Sequence, residues 1–342
     1  MKALVLGEYG NPMIKEVAVP EISDDEVLIR IHACAICGSD LHGYDGRSDR
    51  RRPPLIMGHE AAGEIARAGN RVEDFKVGDR VVFNSSLFCG KCWYCRHGRQ
   101  NLCESSRVFG VHCADYKLNG AMAEYIAVPE RILYHLPENL SYTKAALVEP
   151  LSIALHAVNR TPIGVDGSAM VIGTGAIGLL LIKALKCTGC SHIVALDIND
   201  TRLAHASKAG ADETINTSDS DWREKVKALY PKGADHTFEV VGAGVTVNYA
   251  LDLAKRGGTI TLVGNAAPSA QIDFQKIVLK ELNVIGTYAC ANEYGTALKL
   301  MGSGKVNVSD IVSEEAPLEE GKKWLDALRE GKADLVKVVL TL

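Results

Sequence analysis

A glycine-rich turn constrains the fold of this chain more than any other segment. Residues 173–178 read Gly-Thr-Gly-Ala-Ile-Gly, follow the short apolar run Ala169–Ile172 and open a long apolar segment. Asp197 ends the next strand-like run, 19 residues after Gly178. This order is typical of dinucleotide binding, because the glycines let the backbone approach a pyrophosphate and the helix N-terminus offers it free N–H groups. The segment therefore predicts a doubly wound parallel sheet that binds a dinucleotide coenzyme.

The acidic residue after the turn indicates which dinucleotide is bound. Asp197 would accept hydrogen bonds from both hydroxyls of the adenosine ribose and would repel a 2′-phosphate, which favours NAD over NADP. Arg202 could cover the adenine ring or contact a phosphate. The coenzyme contacts predicted from the motif itself are Gly173, Gly175, Ala176, Gly178, Asp197 and Arg202.

Four cysteines close together in the first third of the chain predict a metal site. Cys89, Cys92, Cys95 and Cys103 have the spacing C-x₂-C-x₂-C-x₇-C. Zinc prefers a tetrahedron of thiolates, and short spacings let one loop surround the ion. Four protein ligands leave no open position for a substrate, so the predicted zinc is structural.

The rest of the composition excludes several classes of protein. The net charge is −4, which argues against a general nucleic-acid or membrane-surface binder. The longest apolar stretch, Ala169–Ile182, has 14 residues, fewer than the ~20 needed to span a bilayer. The N-terminus resembles a strand rather than a signal peptide, so we expect a cytoplasmic protein whose cysteines bind metal or pack.

The chain changes character near residue 150. The first ~145 residues consist of short strand-like runs separated by turn residues, such as Val27–Ile31 and Arg80–Phe83. Beyond that point strands and helices alternate, which predicts parallel strands with right-handed crossovers. We therefore expect an α/β protein with a β-rich first domain and a parallel-sheet second domain.

Two further polar segments lie in the β-rich part. Cys37 begins a segment that ends at His42, and His59 and Glu60 follow a glycine. Cys37 and His59 are plausible ligands of a catalytic zinc, and Glu60 or Glu149 could complete the site while leaving one position for water or an alcohol. Taken singly, such residues are more often packing or surface groups, so this assignment depends on their combination.

The combination resembles a known family over essentially the whole chain. The segment that begins Gly58-His59-Glu60-x-x-Gly63, the four-cysteine loop and the glycine turn occur in the order typical of the zinc-dependent medium-chain alcohol dehydrogenases. The segment Leu147–Ser152, which contains Glu149, resembles the sorbitol (polyol) dehydrogenase branch. Simple alcohol dehydrogenases carry cysteine at the position of Glu149. Threonine dehydrogenases are also similar but carry aspartate there.

The resemblance implies a domain organisation. It implies a GroES-like catalytic zinc domain of residues 1–148, completed by 288–342, and a Rossmann coenzyme domain of residues 149–287, with the active site in the cleft. The family forms dimers or tetramers through its coenzyme domains, so we expect a homo-oligomer, for which the strand near 282–286 offers an edge.

The resemblance also implies roles for individual residues. Cys37 and His59 would bind the catalytic zinc, Asp40 would orient His59, and the order of Glu60 and Glu149 stays open. Ser39 and His42 would carry the substrate proton outward, and hydride would pass from a zinc-bound alkoxide to the nicotinamide. The further coenzyme contacts that the family implies are Ile177, Val263, Gly264, Asn265, Thr287, Tyr288 and Ala289.

Three positions expected to contact the substrate differ from the polyol dehydrogenase branch. Gly43 stands where the branch has tyrosine, and Ala289-Cys290 stands where it has Arg-Tyr, so polyol recognition is weakened. We expect NAD-dependent oxidation of a small secondary alcohol or a sorbitol- or galactitol-like polyol; the alternatives are an L-threonine or 2,3-butanediol type of dehydrogenase. A non-enzymatic dinucleotide-binding protein is disfavoured because the zinc residues are intact. The run Arg50–Arg52 is expected to form a solvated loop rather than an anion site.

Overall fold

The computed structural model describes residues 1–331 and 335–342, which divide into two compact units. One unit comprises Met1–Glu149 together with Tyr294–Leu342, and the other comprises Pro150–Glu293. Each has its own apolar core. In the part of the chain that is described, no helix is both long enough and apolar enough to cross a membrane.

The elements are numbered in chain order. The strands are β1 Lys2–Glu8, β2 Asn11–Glu16, β3 Glu26–Ala35, β4 Leu55–Ile56, β5 Glu60–Ala68, β6 Arg80–Phe83, β7 Ser86–Leu87, β8 Arg107–Val108, β9 Val111–His112, β10 Lys117–Leu118, β11 Tyr125–Pro129, β12 Leu133–His135, β13 Gly167–Ile172, β14 Cys190–Asp197, β15 Glu213–Asn216, β16 Ala234–Glu239, β17 Ala254–Leu262, β18 Asn283–Gly286, β19 Val312–Pro317 and β20 Lys337–Thr341. The helices are α1 Gly38–Tyr44, α2 Trp93–Arg96, α3 Tyr142–Ala145, α4 Val148–Arg160, α5 Ala176–Leu185, α6 Asp200–Ala209, α7 Trp222–Leu229, α8 Gly244–Leu253, α9 Phe274–Leu279, α10 Glu293–Gly302 and α11 Gly321–Arg329. Single 3-10 turns lie at Gln100–Leu102, Glu130–Ile132 and Leu318–Glu320.

The unit that contains both chain termini is built around a mostly antiparallel sheet. Its strand order is β12-β6-β5-β3-β20-β19, and β11 also pairs with β3. A smaller sheet, β2-β1-β4, contributes to the same apolar core, in which Ile29, Phe83 and Leu340 are buried. The β-rich first domain expected from the sequence is thus confirmed, and its last strand comes from the C-terminal segment.

The register around β3 gathers distant residues at one end of this sheet. Ala35, the last residue of β3, pairs with Glu60 at the start of β5 and with Val339 of β20. Cys37 lies two residues beyond the end of β3. Because β3 separates β5 from β20, the first residues of those two strands, Glu60 and Lys337, flank the same strand end.

The other unit contains a six-stranded parallel sheet with the order β15-β14-β13-β16-β17-β18. Numbered within the sheet, this is 3-2-1-4-5-6, the order of a doubly wound dinucleotide-binding fold. Its central strands are buried on both faces, so they are continuously apolar, as in Ala169–Ile172 and Ile193–Leu196. The doubly wound parallel sheet predicted from the glycine turn is confirmed.

Candidate active site

The first three candidate zinc ligands lie together in the structure. The Cys37 sulphur, a ring nitrogen of His59 and a carboxylate oxygen of Glu60 all lie within 4.8 Å of one another. A sulphur, a nitrogen and an oxygen donor form a set that zinc accepts, and three protein ligands leave room for a substrate. Among the described residues, Glu149 is outside this set.

Two properties of the cluster fit a divalent cation. Burial, with Glu60 adding to it, raises the pKa of the Cys37 thiol to about 12, so this thiol becomes a thiolate only when a positive charge compensates it. The Nδ1 atom of His59 is buried and has no hydrogen-bond partner within the described part of the chain, and Asp40 Oδ1 lies 3.7 Å from it. A histidine that binds metal through one nitrogen usually donates the other N–H to a carboxylate, and Asp40 is placed to accept it.

Glu60 is held by a lysine that sequence reasoning missed. Lys337 Nζ donates to Glu60 Oε2 at 2.8 Å and Oε1 at 3.0 Å, and to the Ile36 carbonyl at 3.1 Å. Burial by itself lowers the pKa of Lys337, but the Glu60 carboxylate outweighs it and raises that pKa to about 12. A lone lysine in a C-terminal strand carries no signal in the sequence, because only the register across β3 brings it to Glu60.

Glu149 occupies a separate buried position at the start of α4. The Ser85 hydroxyl donates to its Oε1 at 2.8 Å, and the Ser85 backbone N–H donates to the Tyr294 hydroxyl at 3.1 Å. Burial raises the pKa of Glu149, while His59 opposes that rise. A carboxyl group in this environment can hold a proton or face a cation.

Helix α1 presents the two predicted proton-carrying residues. Ser39 and His42 are three positions apart and therefore lie on one face of the helix. The Ser39 hydroxyl donates to Cys37 Sγ at 3.3 Å. His42 is half-buried, and burial together with Arg47 lowers its pKa, so the ring is neutral at pH 7 and can accept a proton.

The expectation that Arg50–Arg52 forms a solvated loop is wrong for its middle residue. Arg51 is 5% exposed, whereas Arg52 is exposed. Arg51 Nε donates to Asp40 Oδ1 at 3.1 Å, and Nη2 donates to Ser39 Oγ at 2.8 Å. Three consecutive arginines give no local sign of which one turns inward, so only the tertiary contacts reveal it.

The four-cysteine cluster is assembled between β7 and β8. Cys89, Cys92, Cys95 and Cys103 each place a sulphur within 4.8 Å of the others, and all four are free thiols. The backbone N–H of Cys89 donates to Cys103 Sγ at 3.3 Å, and that of Cys92 donates to Cys89 Sγ at 3.3 Å. Such N–H···S contacts stabilise thiolates, so the loop fits the predicted tetrahedral zinc site.

The thiols of this cluster differ in acidity. The N–H groups of Lys91 and Cys92 lower the pKa of Cys89 to about 6, which favours its thiolate at pH 7. Burial and the neighbouring Cys92 raise the pKa of Cys95 to about 12. A cation bound to this cluster would favour deprotonation of the remaining thiols, such as that of Cys95.

The coenzyme turn has the expected local geometry. It lies between β13 and α5, and a Cβ atom at Gly178 would approach the Gly173 carbonyl oxygen to 2.0 Å, so only glycine permits this close approach. Asp197 ends β14, and its Oδ2 accepts the Thr174 backbone N–H at 2.8 Å and the Thr174 hydroxyl at 3.0 Å. The carboxylate therefore fixes the turn as well as standing at the position predicted to bind ribose.

The remaining predicted coenzyme residues lie at the same edge of the sheet. Val263–Asn265 follow β17 and Thr287–Ala289 follow β18, and parallel strands bring their carboxyl ends to one edge. The Thr287 hydroxyl oxygen is buried and has no hydrogen-bond partner among the described residues. Arg202 lies in the first turn of α6, where Asn199 caps its backbone N–H.

The comparisons with known proteins agree with this geometry. Residues 23–138 match the family described as Alcohol dehydrogenase GroES-like domain, and residues 176–303 match that described as Zinc-binding dehydrogenase. The sorbitol dehydrogenase of Bacillus subtilis (strain 168) is 34% identical over 99% of this chain and 97% of its own length. The chain belongs to the zinc-type alcohol dehydrogenase family. The family resemblance and the fold class predicted from the sequence are thus confirmed.

Other members of the zinc-type alcohol dehydrogenase family are about as similar. The L-threonine 3-dehydrogenase of Bacillus velezensis is 33% identical over 99% of this chain and 98% of its own length. A zinc-binding dehydrogenase of Sinorhizobium meliloti 1021, whose crystal structure is bound to NADP, has a TM-score of 0.89 and 30% identity over 100% of this chain and 99% of that one. The family therefore includes enzymes named for different substrates, and at least one relative whose crystal structure is bound to NADP.

Proposed function

We propose that this protein oxidises a small secondary alcohol or polyol to the ketone, with one catalytic zinc and NAD. The observation that carries the proposal is the cluster of Cys37, His59 and Glu60 beside a helix that bears Ser39 and His42. This is the combination of metal ligands and proton carriers that such an oxidation needs. The unit with both termini would be the catalytic domain, and Pro150–Glu293 the coenzyme domain.

The residues in and around the cluster would have different roles in binding the zinc. Cys37 and His59 would hold the ion, with Glu60 as the third and exchangeable ligand, since it lies within their 4.8 Å set, and Glu149 as the carboxyl group beside it. When bound, zinc supplies a Lewis acid for the substrate hydroxyl, and NAD supplies the hydride acceptor. Asp40 would fix the tautomer of His59 by accepting its Nδ1–H.

Ser39 and His42 would carry the proton away. The Ser39 hydroxyl accepts the proton of the substrate hydroxyl and passes its own outward. His42, neutral and half-buried in the last turn of the same helix, receives it and releases it to solvent. Cys89, Cys92, Cys95 and Cys103 would hold a second, structural zinc.

The choice of NAD rests on one carboxylate. Asp197 stands at the ribose-binding position and carries a negative charge that opposes a 2′-phosphate. The crystal structure of one relative contains NADP, so the preference of this protein for NAD has to be measured. Initial rates with NAD and with NADP at equal concentrations test it directly, and faster turnover with NADP would contradict the assignment.

We also propose that the protein is a homo-oligomer that pairs through its coenzyme unit. The edge strand β18 is largely exposed, and α9 beside it exposes Phe274 and Leu279 by 66% and 69%. An exposed strand edge flanked by large apolar side chains is a typical association surface. Light scattering on the purified protein gives the mass, and a monomer at all concentrations would contradict the proposal.

One assay tests the whole function. NADH formation is measured with sorbitol, xylitol, galactitol, 2,3-butanediol, simple secondary alcohols and L-threonine as substrates. Preference for polyols supports the proposal in full. Preference for L-threonine, the substrate in the name of one relative, would assign the second candidate function, and no turnover of any alcohol by the zinc-loaded protein would overturn the proposal.

A further inference from the structure

A buried arginine lies against the helix that carries the proposed proton carriers. Arg51 is 5% exposed, and its guanidinium donates to Asp40 and Ser39, both in the first turn of α1. Burying a charged group is unfavourable unless it is paired and hydrogen-bonded. Here both conditions are met, because Asp40 supplies the opposite charge and Ser39 a second acceptor.

The place of Arg51 depends on a glycine. A Cβ atom built on Gly43 would lie 2.2 Å from Cδ of Arg51, 2.4 Å from its Cβ and 2.8 Å from its Cγ. No side chain other than hydrogen therefore leaves room for the stem of Arg51 across α1. This accounts for Gly43 at the position where the sequence departs from the tyrosine of the polyol dehydrogenase branch.

Both acceptors of Arg51 also touch a proposed zinc ligand. Asp40 Oδ2 accepts the backbone N–H of Cys37 at 3.1 Å, and Asp40 Oδ1 lies 3.7 Å from His59 Nδ1. The Ser39 hydroxyl donates to Cys37 Sγ at 3.3 Å. One guanidinium thus holds two side chains that in turn contact Cys37 and face His59.

We propose that Arg51 is a positioning residue of the catalytic centre and that Gly43 is the glycine that admits it. Arg51 holds the Ser39 oxygen in place beside the Cys37 sulphur by donating a hydrogen bond to it. It also balances the charge of the buried Asp40 carboxylate, which keeps that carboxylate available to His59. The effect on the metal centre stands on geometry alone, while the effect on turnover rests on the proposed function.

The experiment compares Arg51→Met and Arg51→Lys with the matched control Arg52→Met, which removes the neighbouring exposed arginine. The first readout is the release of zinc from the purified protein to a chromophoric chelator, with the zinc of the four-cysteine cluster as the internal reference. Loss of a side chain that directly contacts a metal ligand reduces metal affinity or activity by about 10- to 100-fold, and Arg51 acts one contact further out. We therefore expect Arg51→Met to release the catalytic zinc at the lower end of that range, about 10-fold faster, Arg51→Lys to fall between, and Arg52→Met to match the wild type.

The second readout is the pH profile of kcat/KM with the best alcohol substrate. Arg51→Met should shift this profile, because the Ser39 hydroxyl and the charge beside it have changed, whereas a residue that only stabilised the loop would lower the melting temperature alone. If the wild-type protein oxidises no alcohol, the proposed function fails but the zinc-release comparison still tests Arg51.

A pair of variants separates steric from positioning effects. Gly43→Ala should reproduce the fast zinc release of Arg51→Met, since its methyl group displaces Arg51, and it should also lower the melting temperature. Gly43→Ala combined with Arg51→Ala should have the melting temperature of Arg51→Ala alone, because the steric overlap is gone while Asp40 still lacks its counter-charge, and its zinc release should stay fast. The proposal is overturned if Arg51→Lys and the double variant both release zinc at the wild-type rate and both keep the wild-type pH profile. This comparison can be made even if Arg51→Met does not fold.

Discussion

The buried pair of Lys337 and Glu60 gives the sharpest stability prediction. Lys337 is 3% exposed and Glu60 is fully buried, and the ammonium group contacts both carboxylate oxygens. Lys337→Met keeps the length of the side chain but leaves the carboxylate without its counter-charge. Removing one partner of a buried ion pair costs about 3–5 kcal/mol. At about 2–4 °C per kcal/mol, the melting temperature should fall by about 6–20 °C.

Zinc should change the size of this loss. Glu60 lies within the 4.8 Å set of Cys37 and His59, so a bound cation would replace part of the missing positive charge. We therefore expect the free energy of unfolding to fall more in chelator-treated protein than in zinc-loaded protein. Denaturant unfolding of both forms measures the difference. Lys2→Met is the matched control, because Lys2 pairs with Glu319 at 3.0 Å on an exposed surface and its loss should change little.

The same pair predicts a dependence on alkaline pH. The folded-state pKa of Lys337 is raised from its ordinary 10.5 to about 12, so its contribution to stability is fully present below about pH 10.5 and is lost as the pH rises through about 12. Wild-type protein should therefore lose more stability over that interval than Lys337→Met. A Lys337→Met protein within about 1 kcal/mol of wild type when free of zinc would refute the reasoning.

Three further substitutions test the other sites. Cys103→Ser should remove one zinc equivalent per chain, measured by metal analysis, and should lower the melting temperature, measured by calorimetry. Cys113→Ser, which lies outside the four-cysteine cluster, should leave the zinc content and the melting temperature unchanged. Asp197→Asn should reduce the preference for NAD over NADP by roughly tenfold in kcat/KM, since a charge that opposes the 2′-phosphate is gone, and an unchanged ratio would assign the preference elsewhere. Phe274→Lys should shift the protein toward a smaller species in light scattering, because it places a charge on the exposed apolar side of α9, and an unchanged mass would exclude this surface.

The sites that could be predicted from the sequence are those built from neighbouring residues. The glycine turn between β13 and α5 needs only the conformations that its own residues permit, and the cysteine loop from Cys89 to Cys103 closes on itself within 15 residues. Residues separated by such short spacings are held close together by the chain itself, whatever the rest of the fold. The parallel sheet followed in the same way, from the alternation of apolar runs with helical segments.

The cluster of Cys37, His59 and Glu60 could be predicted only in part. Cys37 and His59 could be proposed as ligands because they stand in recognisable segments. The sequence left Glu60 and Glu149 equivalent, and the structure brings only Glu60 into the 4.8 Å set, because Glu60 begins β5 opposite the end of β3 while Glu149 begins a helix. Which carboxylate stands near a cysteine depends on strand pairing, and one sequence does not contain that information.

What the sequence by itself determined, then, is the pattern of each local segment: a glycine turn typical of dinucleotide binding, a loop of four closely spaced cysteines, and a cysteine and a histidine of the kinds that zinc accepts. The tertiary structure alone decided which charged groups are buried and what compensates them. Lys337 reaches Glu60 across 277 residues of chain, and Arg51 turns inward while Arg52 stays exposed. The physical reason is that burial and ion pairing depend on the register of β3 with its neighbours and on the space beside Gly43, and a periodic pattern of apolar residues specifies neither.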